Sequence, residues 1–496
     1  MFASVERLFR HLVVYGSADI AALAINILLL PVFTRVLSPT EYGVLTLVIV
    51  LEAFLKVLFR WGFDTSFLRL HYDQPTPERG KALAGTAMLF LAAVNGVLLA
   101  GLWLAAPALA RLLLDSEAHG WIVRVLALNL FVSNFHFLPL TQLRIEQQPR
   151  AVAGWTVVRS FGTIAARLVF VVGLRWSVLG FMLADLIVSV GLLVGLWPIV
   201  ARMTRWRFLP GVARELLVVG LPRVPHGALH QIMAMADRFL LGLYLPLDRL
   251  GVYSIGVSIA SLLKLYPVAL TTAWTPIAFE AMARPDAPSF YARTATYVFA
   301  VMAGLSAAMI LVADPILRLL TPPEYHAAAA VMPLLVLGLT IQAVANFAST
   351  ALHIAKRLAP LPIITLVAAV ASVVANVVLI PRFAAQGAAL ASAVGQAALL
   401  GATWMFVRRA YPIPYETGRL GKIAGVALVV SIGGLAIRAT APGVTADVLN
   451  GLLVAAYPAG LLAAGVFRPT EIASLREWGL RIWSRRPPAA GDERDG

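Results

Sequence analysis

Seven basic residues stand inside long apolar stretches of this chain: Lys56, Arg124, Arg159, Arg167, Arg223, Arg238 and Lys264. Only four acids accompany them there, Asp19, Glu52, Asp185 and Asp237. An ionisable group in an apolar surrounding is costly and is kept where it faces a cavity or a partner. The chemistry on offer is therefore electrostatic, a buried surplus of positive charge able to hold an anion. Arg223, His226, His230 and Asp237 recur at spacings of 3, 4 and 7, one stripe of a helix. Pro222 and Pro225 remove backbone donors at its start, so the helix is expected to bend or break there, as substrate-lining transporter helices do. The blander alternative is a stripe that packs on polar groups of a neighbour. His226 and His230 have the i, i+4 spacing of metal ligands, but no third His or acid goes with them, and no metal site is expected.

Lys264 lies near mid-span with no acid one turn away and is the leading cationic candidate. Lys56, Arg167 and Arg223 complete the expected substrate-binding set. Glu52 is one turn from Lys56 and Asp237 is beside Arg238, which neutralises part of the charge. Arg159 and Arg167, two turns apart, share a broad face, and Arg159 can instead snorkel toward the head groups. Arg124 reads as an interfacial anchor. Asp19 and Asp185 either pair with these cations or carry protons, and with His226, His230 and Asp237 they form a secondary, proton-sensitive group.

The elements that must position these groups are fourteen hydrophobic spans. They run from 12 to 34, 42 to 59, 82 to 106, 121 to 141, 152 to 174, 177 to 199, 216 to 243, 250 to 275, 294 to 313, 327 to 352, 359 to 380, 384 to 407, 423 to 441 and 448 to 467. Each is near the roughly 20 residues that cross a bilayer as a helix. With 60% hydrophobic and 13% charged residues, the composition has no soluble reading. The fold class is all-α and polytopic.

Lys and Arg fall unevenly between the spans, 26 in the loops and termini of one side against a single residue in each of seven loops on the other. The positive-inside rule then puts both termini on the cytoplasmic side of the membrane. The net charge of +15 needs no nucleic-acid partner; it is the topology signal plus attraction to anionic membrane lipids. With no cysteine, disulfides, thiolate metal sites and cysteine nucleophiles are excluded. The first span, with Asp19, Asn26 and Pro31 and no clear cleavage site, reads as a retained helix. After Phe467, apolar Ile472, Leu475, Trp478 and Trp483 alternate with Arg476, Arg481, Arg485 and Arg486, an amphipathic surface helix followed by a disordered end.

An internal repeat organises the chain. Glu41-Tyr42-Gly43-Val44-Leu45 aligns with Arg249-Leu250-Gly251-Val252-Tyr253 at an offset of 208, which also puts Lys56 on Lys264. Arg175 to Gly180 aligns with Arg382 to Gly387 at 207. Six spans separate equivalent points, an even number, so the halves run parallel about an axis along the membrane normal. The expected organisation is an N-terminal lobe at 1–205, a C-terminal lobe at 206–410, two further helices at 411–470 and a tail at 471–496. No Walker A sequence occurs, so the chain does not itself use ATP, and no cofactor is expected. Gly191 and Gly195 mark close packing, while Gln342, Asn346, Asn376 and Gln396 read as interhelical hydrogen bonds.

These residues resemble a known family. Tyr15, Leu28-Leu29-Leu30-Pro31, Thr34-Arg35-Val36-Leu37-Ser38-Pro39 and Glu41-Tyr42-Gly43 look like the start of the bacterial O-antigen-type polysaccharide flippases, within the multidrug, oligosaccharidyl-lipid and polysaccharide exporter superfamily. Ala236 to Gly242 with Leu250 to Tyr253, Ala273-Trp274-Thr275-Pro276, and Asn376 to Pro381 with Gly387 to Ala391 are similar to that family's later helices. The resemblance implies two six-helix lobes in a V around a cationic cavity. The implied cargo is an oligosaccharide on a polyprenyl diphosphate, carried from the cytoplasmic to the periplasmic leaflet. Lys56, Arg167, Arg223 and Lys264 would then attract the diphosphate, with His226 and His230 beside them. Proton or sodium coupling and contact with polysaccharide polymerase machinery are the partners it suggests. The first span departs from the lipid II flippases in carrying Asp19 and no arginine cluster.

Two other classes compete. A cation-coupled multidrug exporter of the same superfamily would place carboxylates such as Asp19 and Asp185 in the cavity, which the basic surplus disfavours. A membrane polymerase or glycosyltransferase would show a long polar catalytic loop, and the spans leave no room for one. The expected protein is a transporter and not an enzyme.

Overall fold

The computed structural model describes residues 29–73, 76–114, 116–282, 284–441, 443–469 and 471. Asp19, most of the first expected span and the amphipathic tail after Glu471 lie outside the described residues. Among those described, all regular structure is helical.

A short helical turn at Leu30–Thr34 leads to α1, Pro39–Arg60. Its start is a capping box: the Glu41 amide donates to the Ser38 hydroxyl at 3.3 Å, the Ser38 amide donates to the Glu41 carboxylate at 2.8 Å, and Pro39 takes the first helical position. It stops where Trp61 and Gly62 turn left-handed, at φ 52° and 70°. The chain continues through α2 (Phe63–Asp73), α3 (Pro77–Leu114), α4 (Gly120–Ser133), α5 (Phe137–Ile145), α6 (Pro149–Arg167) with a π-helical turn at Leu168–Gly173, and α7 (Ser177–Met203). An irregular strap over 204–209 leads to α8 (Pro210–Gly220), α9 (Arg223–Tyr244), α10 (Leu247–Ala260), a 3₁₀ turn at Ser261–Lys264, and α11 (Leu265–Ala281). Then come α12 (Ala287–Leu320), α13 (Met332–Ile354), α14 (Leu361–Ala410), α15 (Thr417–Thr440) and α16 (Val444–Ala463).

Eleven helical stretches among the described residues are long and apolar enough to cross a membrane. α14 supplies two of the expected spans, because Ala384 at φ 50° and ψ −129° divides it. α9 is not among the eleven, since its polar stripe lowers its hydropathy. These correspond to thirteen of the expected fourteen spans, the first lying almost wholly outside the described residues, and the protein is a polytopic, helical membrane protein. The expected break in the seventh span is present, between Gly220 at the end of α8 and Arg223 at the start of α9.

The repeat is visible in space. A Cβ on Gly43 would strike the carbonyl of Leu247, and one on Gly251 would strike the carbonyl of Pro39. Each pair, 39 with 247 and 43 with 251, is separated by the offset of 208, so a pseudo-twofold axis passes through the crossing of α1 and α10. Only glycine lets two backbones come this close, the packing mode of helices in lipid. Ser177 and Ala384, equivalent at 207, both adopt left-handed φ, 51° and 50°. Gln147 and Lys356 do the same at φ 53° and 55°, each closing a helix with the same hydrogen bonds, Gln148 N to Leu143 O and Arg357 N to Leu352 O, both 2.9 Å.

The described chain divides into two compact units, Met1–Pro285 with Ala313–Pro412, and Asp286–Val312 with Ile413–Gly496. The first holds every candidate site residue described. Its buried cluster joins Phe63, Phe67, Leu83, Leu91 and Leu138 to Leu216 of α8. The second unit packs the first part of α12 on α15 and α16, around Ala303, Leu311, Val430 and Tyr457, with the Tyr457 hydroxyl donating to Ala300 O at 2.9 Å. The sequence reading places the ninth span in the second lobe; here residues 286–312 pack with the last two helices.

Candidate functional site: a cation-walled cavity

Two chain breaks meet in the first unit. A Cβ on Gly62, between α1 and α2, would strike the carbonyl of Gly220, and one on Gly220, between α8 and α9, would come within 2.7 Å of Trp61 O. With no side chain between them, the ends of α1 and α9 converge on a cavity of about 550 Å³. Lys56 and Arg60 from α1, Asp64 and Thr65 from α2, and Arg223 and His226 from α9 line it. Leu358, Leu361 and Pro362, at the start of α14, form an apolar wall. Arg60 stands 3.8 Å from Asp64, and Arg223 Nη1 donates to Thr65 Oγ1 at 3.4 Å. Three basic side chains and one carboxylate line the cavity, so its wall carries a basic excess that can attract an anion.

Lys56, Arg223 and His226, three of the residues picked from the sequence, are thus brought together across 167 residues of chain. Arg60 joins them, although the sequence reading counts it as a loop residue. The signal was available: Arg60 follows Lys56 by four and shares its helix face.

The other candidates sit elsewhere in the unit. Arg167 is held bidentately by Asp185, Nε to Oδ1 at 2.9 Å and Nη2 to Oδ2 at 2.8 Å, with its guanidinium 4.7 Å from the Phe181 ring centroid. It is not among the cavity-lining residues, and its charge is matched at short range. Glu52 is within electrostatic range of Lys56, Asp185, Arg167 and Arg159. Lys264, on the 3₁₀ turn between α10 and α11, is also outside the lining and lies within electrostatic range of Arg238 and Asp237. Asp237 is buried and accepts from the Tyr253 hydroxyl at 2.7 Å and the Ser392 hydroxyl at 3.3 Å, so it ties α9 to α10 and α14. His230 is exposed and does not line the cavity. Arg124 lies 5.7 Å over the Trp103 ring, a cation–π contact. Among the described residues no three His, Cys, Asp or Glu side chains converge as metal ligands would.

The family described as "Polysaccharide biosynthesis protein" matches residues 32–321, more than half of the chain. The chain belongs to this family. Several solved structures of transporters resemble it in fold. A lipid II flippase, MurJ, in an inward closed conformation aligns with TM-score 0.70 at 13% identity, covering 96% of this chain and 99% of that one. An outward-facing multidrug resistance MATE family transporter of the MOP superfamily aligns with TM-score 0.57 at 16% identity, covering 84% and 97%. A MOP superfamily transporter from Pyrococcus furiosus, described as having a binding pocket of reverse polarity, gives TM-score 0.55 at 15% identity, covering 84% and 96%. A search of curated proteins found no match. This polysaccharide biosynthesis protein therefore has the fold of the MOP superfamily, and its cation-walled cavity lies where α1 and α9 of the two repeats meet.

Proposed function

We propose that this protein is a flippase that moves an oligosaccharide linked to polyprenyl diphosphate from the cytoplasmic to the periplasmic leaflet of the bacterial inner membrane, by alternating access and without catalysing a covalent step. The observation that carries the reading is the cavity wall of Lys56, Arg60 and Arg223. A diphosphate is a compact polyanion, and about 550 Å³ is within the range of small-ligand sites, enough for a head group whose lipid tail stays in the bilayer.

The two ends of α1 support alternating access. Lys56 and Arg60 open into the cavity, while Gly43, about 20 Å away along the helix, closes on Leu247. Beside that seam the Tyr325 hydroxyl donates to Leu37 O at 2.7 Å. The loops following Arg60 carry the charge of the expected cytoplasmic side, so the cavity faces the cytoplasm and the glycine seam seals the periplasmic end.

Replacing Lys56 by Glu reverses a wall charge, whereas Arg keeps it. Losing one such contact weakens binding by about 1.5–3 kcal/mol, roughly tenfold to a hundredfold. Cells with Lys56→Glu should accumulate lipid-linked oligosaccharide on the cytoplasmic leaflet, and cells with Lys56→Arg should export normally. Equal export by normally expressed Lys56→Glu and wild type refutes the reading. The similarity to a lipid II flippase favours a second cargo with the same diphosphate chemistry. Depletion that accumulates a lipid-linked peptidoglycan precursor in place of the oligosaccharide would assign that one, and export of cationic drugs would assign a multidrug exporter.

A further inference from the structure

The strap joining the two repeats carries Arg205-Trp206-Arg207-Phe208, and all four residues are exposed. Its backbone is nevertheless tied down. Arg205 N donates to Lys81 O at 3.1 Å, Leu209 N to Thr86 Oγ1 at 3.4 Å, and a Cβ on Gly85 of α3 would strike the Arg205 carbonyl. The side chains are thus presented outward from a held backbone. Trp206 stacks on Trp197 at 5.9 Å and 27°, and Trp197 lies on the last turns of the membrane-crossing helix α7. A Trp pair at the end of a crossing helix sits at head-group depth. Two nearby carboxylates are already engaged, Glu146 by Arg202 at 2.9 Å and Glu215 by Arg79. Among the described residues no ion pair engages Arg205, Arg207 or Lys81.

We infer that this strap is a binding site for the head group of an anionic phospholipid, with Arg205 and Arg207 on the phosphate and the Trp197–Trp206 pair against the upper acyl chain and glycerol. A lipid seated there would hold the joint between the two repeats at a constant depth. The site is separate from the cavity and does not depend on the transported cargo.

The chain has no cysteine, and Gly211, two residues beyond the strap, has open space around it. A fluorophore on Gly211→Cys therefore reports this site alone. The labelled protein goes into phosphatidylcholine nanodiscs containing either brominated phosphatidylglycerol or brominated phosphatidylcholine as quencher. Each arginine should favour the anionic lipid by about fivefold. Phosphatidylglycerol should then quench several-fold more strongly, the preference should shrink in 0.5 M salt by screening, and it should vanish in Arg205→Gln/Arg207→Gln but persist in Arg175→Gln. Equal quenching by the two lipids, or a preference that survives in a folded double variant, overturns the proposal.

Discussion

The amide nitrogen of Gly43 lies 3.0 Å from where a Cβ on Gly251 would stand, and these two glycines are equivalent positions of the internal repeat. Any side chain at either one must push α1 and α10 apart. Overpacking of this kind costs about 1–3 kcal/mol; under the proposed alternating access it falls on the sealed state alone, whose population drops by about 5- to 150-fold. Gly43→Val and Gly251→Val should each stop export at normal expression, whereas Gly96→Ala, which meets nothing within 4 Å, should not. An assay of lipid-linked intermediates on the two leaflets measures the effect, and active Gly43→Val protein would exclude the seam as a gate.

Lys56 and Lys264 are also repeat equivalents, but only Lys56 lines the cavity. Direct binding of a lipid diphosphate to purified protein should therefore weaken about tenfold or more with Lys56→Ala and much less with Lys264→Ala. The reverse order would move the binding site toward Arg238 and Asp237.

The Arg167–Asp185 pair has about a quarter of each side chain exposed. Removing one partner leaves a partly buried charge unmatched, and Asp185→Ala should destabilise by about 2–3 kcal/mol, somewhat less than for a fully buried pair. Arg167→Met/Asp185→Leu should recover most of that loss. Thermal unfolding in detergent tests both, and equal Tm values for Asp185→Ala and the double variant would show that the pair is not coupled.

At the end of the second unit, Arg419 binds Glu416 at 2.8 Å and Glu471 at 2.7 Å, while the Arg468 amide donates to Glu471 at 2.8 Å. Burial pushes the Glu471 carboxyl up, but hydrogen bonds from the Arg468 amide, Tyr297 and Arg419 outweigh it and hold the group below its usual range. A carboxyl depressed in the folded state stabilises above its unfolded pKa and loses that contribution as pH falls through the folded value. Glu471→Gln should lower Tm by roughly 1–4 °C at pH 7, and the gap to wild type should close toward pH 3. A gap independent of pH would show that the carboxylate charge is not what stabilises this end.

A reporter fused after Gly496 tests the orientation. The charge count expects activity from a cytoplasmic reporter and none from one that works only in the periplasm.

The sequence by itself determined the helical membrane class, the spans that fall within the described residues, the parallel repeat and the break at Pro222, because each depends on hydropathy, periodicity or backbone chemistry within one segment or on comparison of two segments. The reciprocal contact of Gly43 and Gly251 was not among these, because repeat equivalents touch only where they lie on the pseudo-twofold axis. The sequence also picked out Lys56, Arg223 and His226 as charged or polar groups out of place in apolar helices. Only the tertiary structure decided which of these groups share a space. Each residue turns a helix by about 100°, so the direction a side chain faces depends on how that helix is rotated and where it breaks. Gly62 against Gly220 brings Arg60 to the cavity with Lys56 and Arg223. Asp185 engages Arg167, and the 3₁₀ turn carries Lys264 toward Arg238 and Asp237. Charge and spacing specify what each group can bind, and the packing of distant helices decides which groups act together.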